Sequence, residues 1–297
     1  MAARAVAAAS SHVARAKRPH LGTASWCRPF SSAVHYALVD IDGTLATTNG
    51  AISGAAEALQ RLRAGTRAVR LVTNQSQESS RRTLERVQAL GLGVQPGELF
   101  GTLAAARRLI DEERLRPKLL LSEEALEEFD GVPTHEPNAV VVGTAPAHFT
   151  YEGLTEAMRA LLDDEGSRLI AVNKGRYFKR KDGLAMMAGP FVAALEFATG
   201  RQASVVGKPS RDFFYAAARN AAGGSAADLP APESCVMIGD DAVDDVQGAM
   251  DAGMLAILVR TGKYRAGDEA RCKTPPLAVV DDVTAAVDFL QREGFMH

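Results

Sequence analysis

Short apolar runs that end in glycine or charge recur along the chain and predict the strands of a buried parallel sheet. The run at 36–39 leads into an acidic segment at 40–44, and the run at 235–238 leads into a second one at 239–241. Runs without polar alternation are typical of strands that are buried on both faces. Similar runs lie at 68–72, 119–121, 139–142, 169–172, 204–206, 255–259 and 277–280.

Segments with a helical spacing of apolar residues separate these runs. Leu59 and Leu62 lie on one face of a predicted helix after the run at 36–39. Leu84, Val87 and Leu90 lie on one face of another predicted helix after the run at 68–72. Helices that alternate with strands cross over between parallel strands and cover both faces of the sheet. The predicted fold class is therefore α/β, with a Rossmann-like parallel-sheet core.

The middle of the chain predicts a separate, inserted domain. Residues 107–203 contain three of the apolar runs, with helical segments between them. We therefore predict an inserted α/β domain at 107–203, within a discontinuous core formed by residues 34–106 and 204–297. The run at 204–206 is expected to be a core strand that ends at Lys208.

The first 33 residues are interpreted as a transit peptide or a disordered tail and are excluded from the fold. They are rich in alanine and serine, contain five arginines or lysines, and precede the first acidic residue, Asp40. This composition is typical of organelle import. Arg28 also lies three places before a candidate cleavage site after Phe30. The predicted location is mitochondrial, with plastid or cytoplasmic as alternatives.

Size and charge narrow the classes of partner. The chain of 297 residues is 46% hydrophobic, which is ample for a globular core. Its formal net charge of −2 gives no basic field for nucleic acid. No apolar stretch approaches the ~20 residues that span a bilayer. The sequence therefore predicts neither a nucleic-acid partner nor a membrane protein.

Carboxylates follow two of the predicted strands at the edge where open α/β sheets bind ligands. Asp40 and Asp42 follow the first strand, and Asp240 follows a later one. Gathered carboxylates repel one another unless a cation joins them. An oxygen-only set with no nearby Cys or His suits Mg²⁺. We therefore predict a magnesium site at this edge.

Three further polar residues end strands at the same edge. Thr73, Asn74 and Lys208 add a hydroxyl, an amide and a cation. A nucleophilic carboxylate, a hydroxyl donor, a lysine and a metal-binding aspartate are the parts needed to hold and attack a phosphoryl group. The Asp-x-Asp-Gly-Thr segment alone is also compatible with ordinary turn chemistry.

Four segments, in this order, resemble the motifs of the haloacid dehalogenase (HAD) superfamily of phosphatases. The segment 40–45, Asp-Ile-Asp-Gly-Thr-Leu, is similar to the first motif, and 72–74, Val-Thr-Asn, to the second. Lys208 is similar to the third motif, and the acidic segment 239–245 to the fourth. The insert at 107–203 resembles the large α/β cap of the NagD-like branch. The resemblance covers nearly everything after residue 35.

The resemblance implies a Mg²⁺-dependent phosphohydrolase with an aspartyl-phosphate intermediate. Asp40 would attack phosphorus, and Asp42 would protonate the leaving oxygen and then activate water. Mg²⁺ would bind the carboxylates of Asp40 and Asp240 and the main-chain carbonyl of Asp42. Asp241 or Asp245 would orient water beside the metal.

The remaining motif residues would hold the phosphoryl group. Thr73 and Asn74 would bind phosphoryl oxygens, and Lys208 would neutralise charge on both the nucleophile and the phosphate. Among the other aspartates of the fourth motif, the family spacing favours Asp245 over Asp244 as the residue that orients water.

The implied substrate is a small phosphorylated compound, either a phosphate monoester or a phosphoamidate or pyrophosphate. A homodimer formed through the cap is the implied assembly. The alternative is a HAD-fold binding or regulatory protein with little turnover, which would be free to lose Asp40, Asp42 or Lys208. The chain keeps all three residues. A phosphomutase is a third alternative, disfavoured because those relatives carry a helical cap placed before the second motif.

Overall fold

The computed structural model describes residues 33–180, 183–224 and 229–296. The predicted transit peptide at 1–33 lies outside the described residues, apart from Ala33. Within the described residues, no helix is both long and apolar enough to cross a membrane.

Strands and helices alternate along the described chain. The strands are β1 (Tyr36–Asp40), β2 (Ala46–Thr47), β3 (Gly50–Ala51), β4 (Ala68–Thr73), β5 (Leu99–Gly101), β6 (Pro117–Leu120), β7 (Ala139–Val142), β8 (Arg168–Ala171), β9 (Tyr177–Arg180), β10 (Gly183–Met186), β11 (Ser204–Val205), β12 (Cys235–Gly239), β13 (Leu255–Val259) and β14 (Ala278–Val280). The α-helices are α1 (Ala55–Gly65), α2 (Ser80–Ala89), α3 (Thr102–Glu113), α4 (Glu123–Leu126), α5 (Tyr151–Leu162), α6 (Gly189–Thr199), α7 (Arg211–Ala221), α8 (Gly248–Asp251) and α9 (Val283–Arg292).

The core is a six-stranded parallel sheet in the order β14-β13-β12-β1-β4-β5. Leu38 of β1 packs with Phe213 and Phe214 of α7 on one face of the sheet. Val39 packs with α1 and α9 on the other face, as the two-residue period of a strand requires. Because β1 lies between β4 and β12, the carboxyl ends of these three strands meet.

A second parallel sheet, in the order β11-β8-β7-β6, forms the inserted domain. Helix α3 packs on one face of this sheet against Val141 and Ile170. Helices α5 and α6 cover the other face through Val140 and Ala171. Strands β9 and β10 form an antiparallel hairpin within the same domain. The predicted α/β architecture, a parallel-sheet core with an inserted cap, is confirmed.

One predicted core strand lies in the cap instead. The run at 204–206 forms β11, whose residues pair with Ile170 and Ala171 of β8 in the cap sheet. The prediction that this strand belongs to the core and ends at Lys208 was wrong, because an apolar run indicates burial but not which sheet supplies its hydrogen bonds. Lys208 lies on the connection from β11 to α7. Helix α3, from Thr102, and β11 extend the cap beyond 107–203 at both ends.

Candidate active site

A buried lysine joins two carboxylates at the carboxyl end of the core sheet. Lys208 Nζ donates to Asp40 Oδ1 and to Asp245 Oδ1, each at 2.6 Å. The exposed fractions are 4% for Lys208, 6% for Asp40 and 2% for Asp245. Removing such charges from water is costly, so a buried ammonium requires partners of this kind. The predicted nucleophile and the predicted third-motif lysine are therefore in direct contact.

Asp240 lies next to this group, at the end of β12, and is enclosed by two glycines. Its Oδ2 accepts a hydrogen bond from the Lys263 main-chain N–H at 2.5 Å. A β-carbon at Gly43 or at Gly262 would overlap the Asp240 carboxylate. Thr261 Oγ1 donates to the Gly43 carbonyl at 2.5 Å and ties the two loops together. The loop after β13 thus completes the site.

Burial is the largest influence on the pKa of three aspartates at the site. Burial raises the pKa of Asp40, Asp240 and Asp245 to about 6 each, although Lys208 opposes the rise in all three. Burial alone would lower the pKa of Lys208, but Asp245 and Asp40 outweigh it and raise that pKa above its ordinary value. Lys208 is therefore a fixed positive charge, and the surrounding carboxylates still carry an excess of negative charge.

The same group of oxygens fits a magnesium ion. Carboxylate oxygens of Asp40, Asp240 and Asp245 lie within 4.8 Å of one another. Asp40 Oδ2 and Asp240 Oδ1 are buried and have no hydrogen-bond partner. Buried polar atoms without partners are rare, and hard oxygen donors suit Mg²⁺. Both oxygens of Asp245 are already engaged, one by Lys208 and the other by the Asp241 N–H at 3.1 Å.

Asp42 lies outside this buried group and faces a different partner. Half of its side chain is exposed, and its Oδ1 accepts a hydrogen bond from Arg86 Nη1 at 3.1 Å. Thr73 Oγ1 lies 3.5 Å from Asp42 Oδ2. Arg86 also donates through Nε to Glu78 at 2.7 Å. Sequence reasoning missed Arg86, because a helical arginine with no motif around it looks like an ordinary surface residue.

Asn74 contacts the main chain of Lys208. Its Nδ2 donates to the Lys208 carbonyl and its Oδ1 accepts from the Lys208 N–H, each at 2.9 Å. The prediction for Asn74 was contact with phosphoryl oxygens. In the structure the amide links the second motif to the third, and contact with phosphoryl oxygens stays a prediction.

The aspartates of the fourth motif have separate tasks. Asp241 Oδ1 accepts from the N–H groups of Val243 and Asp244 at 2.9 and 3.0 Å, and so caps the π-helical turn Ala242–Gln247. Asp245 reaches the centre of the site, as its contact with Lys208 demonstrates. Sequence reasoning did not assign a role to Lys263. This residue follows a Thr-Gly pair after β13, and that pair is the sequence signal that could have identified the loop.

Comparisons with known proteins agree with this geometry. A model described as haloacid dehalogenase-like hydrolase matches residues 37–132, and a HAD-hydrolase-like model matches residues 205–286. The haloacid dehalogenase-like hydrolase domain-containing protein 2 of Rattus norvegicus is 52% identical over 253 residues, which is 85% of this chain and 94% of that protein.

Two further relatives are phosphatases by name. The phospholysine phosphohistidine inorganic pyrophosphate phosphatase of Rattus norvegicus is 40% identical over 271 residues, covering 90% of this chain and 97% of that one. The structure of a p-nitrophenyl phosphatase from Archaeoglobus fulgidus matches with a TM-score of 0.77 at 27% identity, over 87% of this chain and 100% of that one. The chain therefore belongs to the haloacid dehalogenase-like hydrolase family and is a HAD-type phosphatase.

Proposed function

We propose that the protein is a Mg²⁺-dependent phosphohydrolase that acts on a small phosphorylated compound through an aspartyl-phosphate on Asp40. The observation that carries this proposal is the buried contact between Asp40 and Lys208, beside carboxylate oxygens of Asp40 and Asp240 that have no partner. A binding protein would gain nothing from burying an excess of negative charge around a reactive carboxylate.

In the first half of the reaction, a carboxylate oxygen of Asp40 bonds to phosphorus while the bond from phosphorus to the leaving oxygen breaks. Asp42, protonated, gives its proton to that oxygen. Thr73 and Lys208 hold the phosphoryl oxygens. In the second half, water gives a proton to Asp42 and attacks phosphorus, which releases inorganic phosphate and restores Asp40.

Asp40 and Asp240 would hold Mg²⁺, with the Asp42 carbonyl as the third predicted protein ligand. When bound, the ion offsets the repulsion between the nucleophile and the anionic substrate. For the water-orienting role we favour Asp245 over Asp244 and Asp241, since the carboxylate of Asp245 lies with those of Asp40 and Asp240.

The first test is turnover by the purified full chain on a panel of substrates. The names of the relatives suggest aryl phosphate monoesters, phosphoamidates and pyrophosphate as its classes. Turnover should require Mg²⁺ and disappear in Asp40→Asn. Full activity in EDTA would refute the metal assignment. Tight binding of phosphate compounds without hydrolysis of any of them would favour the regulatory alternative.

The cap also supports a homodimer. Phe197 of α6 is 93% exposed and Tyr151 of α5 is 82% exposed, so the cap presents two large side chains that a second copy would cover. Light scattering on the eluting protein should give twice the chain mass, and Phe197→Glu should shift it toward the monomer. A monomeric unmodified chain would refute this assembly.

A further inference from the structure

The amide of Asn74 and the main chain of Lys208 form a reciprocal pair of hydrogen bonds, and this pair defines a role for Asn74. The Asn74 Nδ2 and the Lys208 carbonyl make one bond, and the Asn74 Oδ1 and the Lys208 N–H make the other. Both the oxygen and the nitrogen of the side chain are thus directed at one residue. An asparagine that served mainly as a phosphate ligand would point its N–H groups at the substrate.

Lys208 needs such an anchor because no strand of the core holds it. The chain reaches it from the cap strand β11, three residues after the last paired position, and continues into α7. Its ammonium must nevertheless lie between Asp40 and Asp245 with two contacts of 2.6 Å. A misplacement of the order of 1 Å at a reacting centre can cost about 10²-fold in rate.

The connection is packed closely around this anchor. A β-carbon at Gly207 would lie within 2.8 Å of the Asn74 Oδ1, the Thr102 Oγ1 and the Val172 carbonyl. Thr102 Oγ1 donates to that carbonyl, which follows the cap strand β8. The side chain of Asn74 thus joins the core to the main chain of the connection that returns from the cap.

We propose that Asn74 is a positioning residue, which sets the place of Lys208 and acts on the reaction through it. This inference rests on the proposed function. A side-chain amide carries its acceptor and its donors on separate atoms, so Asn74 can accept from the Lys208 N–H and donate to its carbonyl at once. Aspartate at this position would keep the acceptor but oppose the carbonyl, and alanine would leave both main-chain groups without a partner.

A double-mutant cycle tests the proposal against a direct role. Asn74→Ala, Lys208→Ala and the double variant are compared by kcat and KM for p-nitrophenyl phosphate with saturating Mg²⁺. Asn74→Ala should lower kcat/KM by up to about 10²-fold. In the Lys208→Ala background the same change should cost no more than about twofold, because the residue it positions is absent. An equal factor in both backgrounds, with a matching rise in KM, would mean that Asn74 binds substrate itself and would overturn the proposal.

Asn138 provides a matched control in the cap. Its Oδ1 accepts from the Arg116 N–H at 2.7 Å, and the Asn138 N–H donates to the Arg116 carbonyl at 2.9 Å. Like Asn74, it is partly buried. Asn138→Ala should leave kcat/KM within about twofold of the unmodified chain. A loss equal to that of Asn74→Ala would reduce the role of Asn74 to general stability and would also overturn the proposal.

Amide hydrogen exchange separates this inference from the proposed function, because it needs no turnover. In the full chain, Asn74→Ala should speed exchange in the fragment around Lys208 and leave the fragment around Arg116 unchanged. Asn138→Ala should do the reverse. Unchanged exchange at Lys208 in Asn74→Ala would overturn the proposal, even if the enzyme is active. An unmodified chain without turnover would defeat the proposed function, and the exchange result would still decide whether Asn74 holds Lys208.

Discussion

Asp40 and Asp42 are two residues apart and have different surroundings. Asp40 is buried and accepts a hydrogen bond from Lys208, whereas half of the Asp42 side chain is exposed beside Arg86. A buried carboxylate held by a fixed cation suits a nucleophile, whose position must be fixed for attack. An accessible carboxylate suits proton exchange with a leaving group and with water. The two aspartates, which composition alone cannot rank, are thus separated by their environments.

Asp42→Asn should slow turnover without preventing the first chemical step. Asp40 can still attack, but the leaving group loses its acid and water loses its base, a loss of about 10²–10⁴-fold in rate. An activated aryl phosphate needs little protonation, so it should suffer less than an alkyl phosphate in the first step. Rapid mixing should then detect a burst of leaving group equal to the enzyme concentration. Asp40→Asn should give no burst. Equal losses for both substrates without a burst would mean that the roles are assigned wrongly.

Arg86→Gln should slightly reduce the contribution of Asp42 to turnover. The ion pair joins Arg86 Nη1 to a half-exposed carboxylate at 3.1 Å, so solvent screens it and its loss should cost about two- to fivefold in kcat/KM for an alkyl phosphate. An aryl phosphate should be affected less. Arg82→Gln is the control, since Arg82 lies on the same helix but pairs with Glu127. Matching effects of the two variants would argue against any role for the Arg86 pair.

At the scale of the element, the loop that follows β1 has to pass close to Asp240. Gly43 has a φ of 112° and has no room for a β-carbon, because Asp240 lies against it. Gly50 has a φ of 113° with open space around it. The two glycines share a positive φ and differ in what they contact, so they form a matched pair of sites.

Gly43→Ala and Gly50→Ala should therefore share one effect and differ in another. Each should cost about 1–3 kcal/mol in the free energy of unfolding, because an alanine is strained at such a φ. Only Gly43→Ala should displace Asp240 and abolish the rise in melting temperature that Mg²⁺ produces. A preserved Mg²⁺ effect in Gly43→Ala would show that Asp240 does not need this close contact to bind the ion.

The elements differ in how far sequence could predict them. The core strands β1, β4 and β12 carry mainly apolar runs that end in the motif residues, so these strands and the meeting of Asp40 with Asp240 followed from pattern alone. The run at 204–206 has the same pattern but pairs with β8 of the cap. The bonds between Asn74 and Lys208 and the pairing of Arg86 with Asp42 join distant segments through side-chain geometry, which no local pattern encodes.

At the scale of the whole molecule, the segment before the core predicts the location of the protein in the cell. Residues 1–35 contain five basic residues and no acidic one, and are rich in serine and alanine. A fluorescent protein fused behind this segment should enter an organelle, with the mitochondrion expected first. Replacing the five basic residues with glutamine should return the fusion to the cytosol. A uniform cytosolic signal from the unmodified fusion would contradict the prediction, and sequencing the mature N-terminus would test cleavage after Phe30.

The charge buried at the site should make the stability of the whole molecule depend on pH and on Mg²⁺ together. Burial raises the pKa of Asp40, Asp240 and Asp245 from 3.8 to about 6. Between these values the folded chain binds more protons than the unfolded chain, so without metal the free energy of unfolding should fall as pH rises from about 4 to 7. Mg²⁺ requires the deprotonated carboxylates, so its gain in melting temperature should be larger at pH 7.5 than at pH 5.

Asp240→Asn tests how much Asp240 contributes to this dependence on pH and Mg²⁺. The variant lacks one carboxylate with a raised pKa and one predicted magnesium ligand. Without metal, its melting temperature should therefore fall less between pH 5 and 7.5 than that of the unmodified chain. Mg²⁺ should raise the melting temperature of the variant little at either pH. The difference between the unmodified chain and the variant is the quantity to measure, by thermal unfolding with EDTA or with Mg²⁺. A difference that does not change with pH would mean that Asp240 is already ionised in the folded chain at pH 5. Its negative charge would then be balanced within the site before any metal binds, and the driving force proposed here for Mg²⁺ binding would be absent.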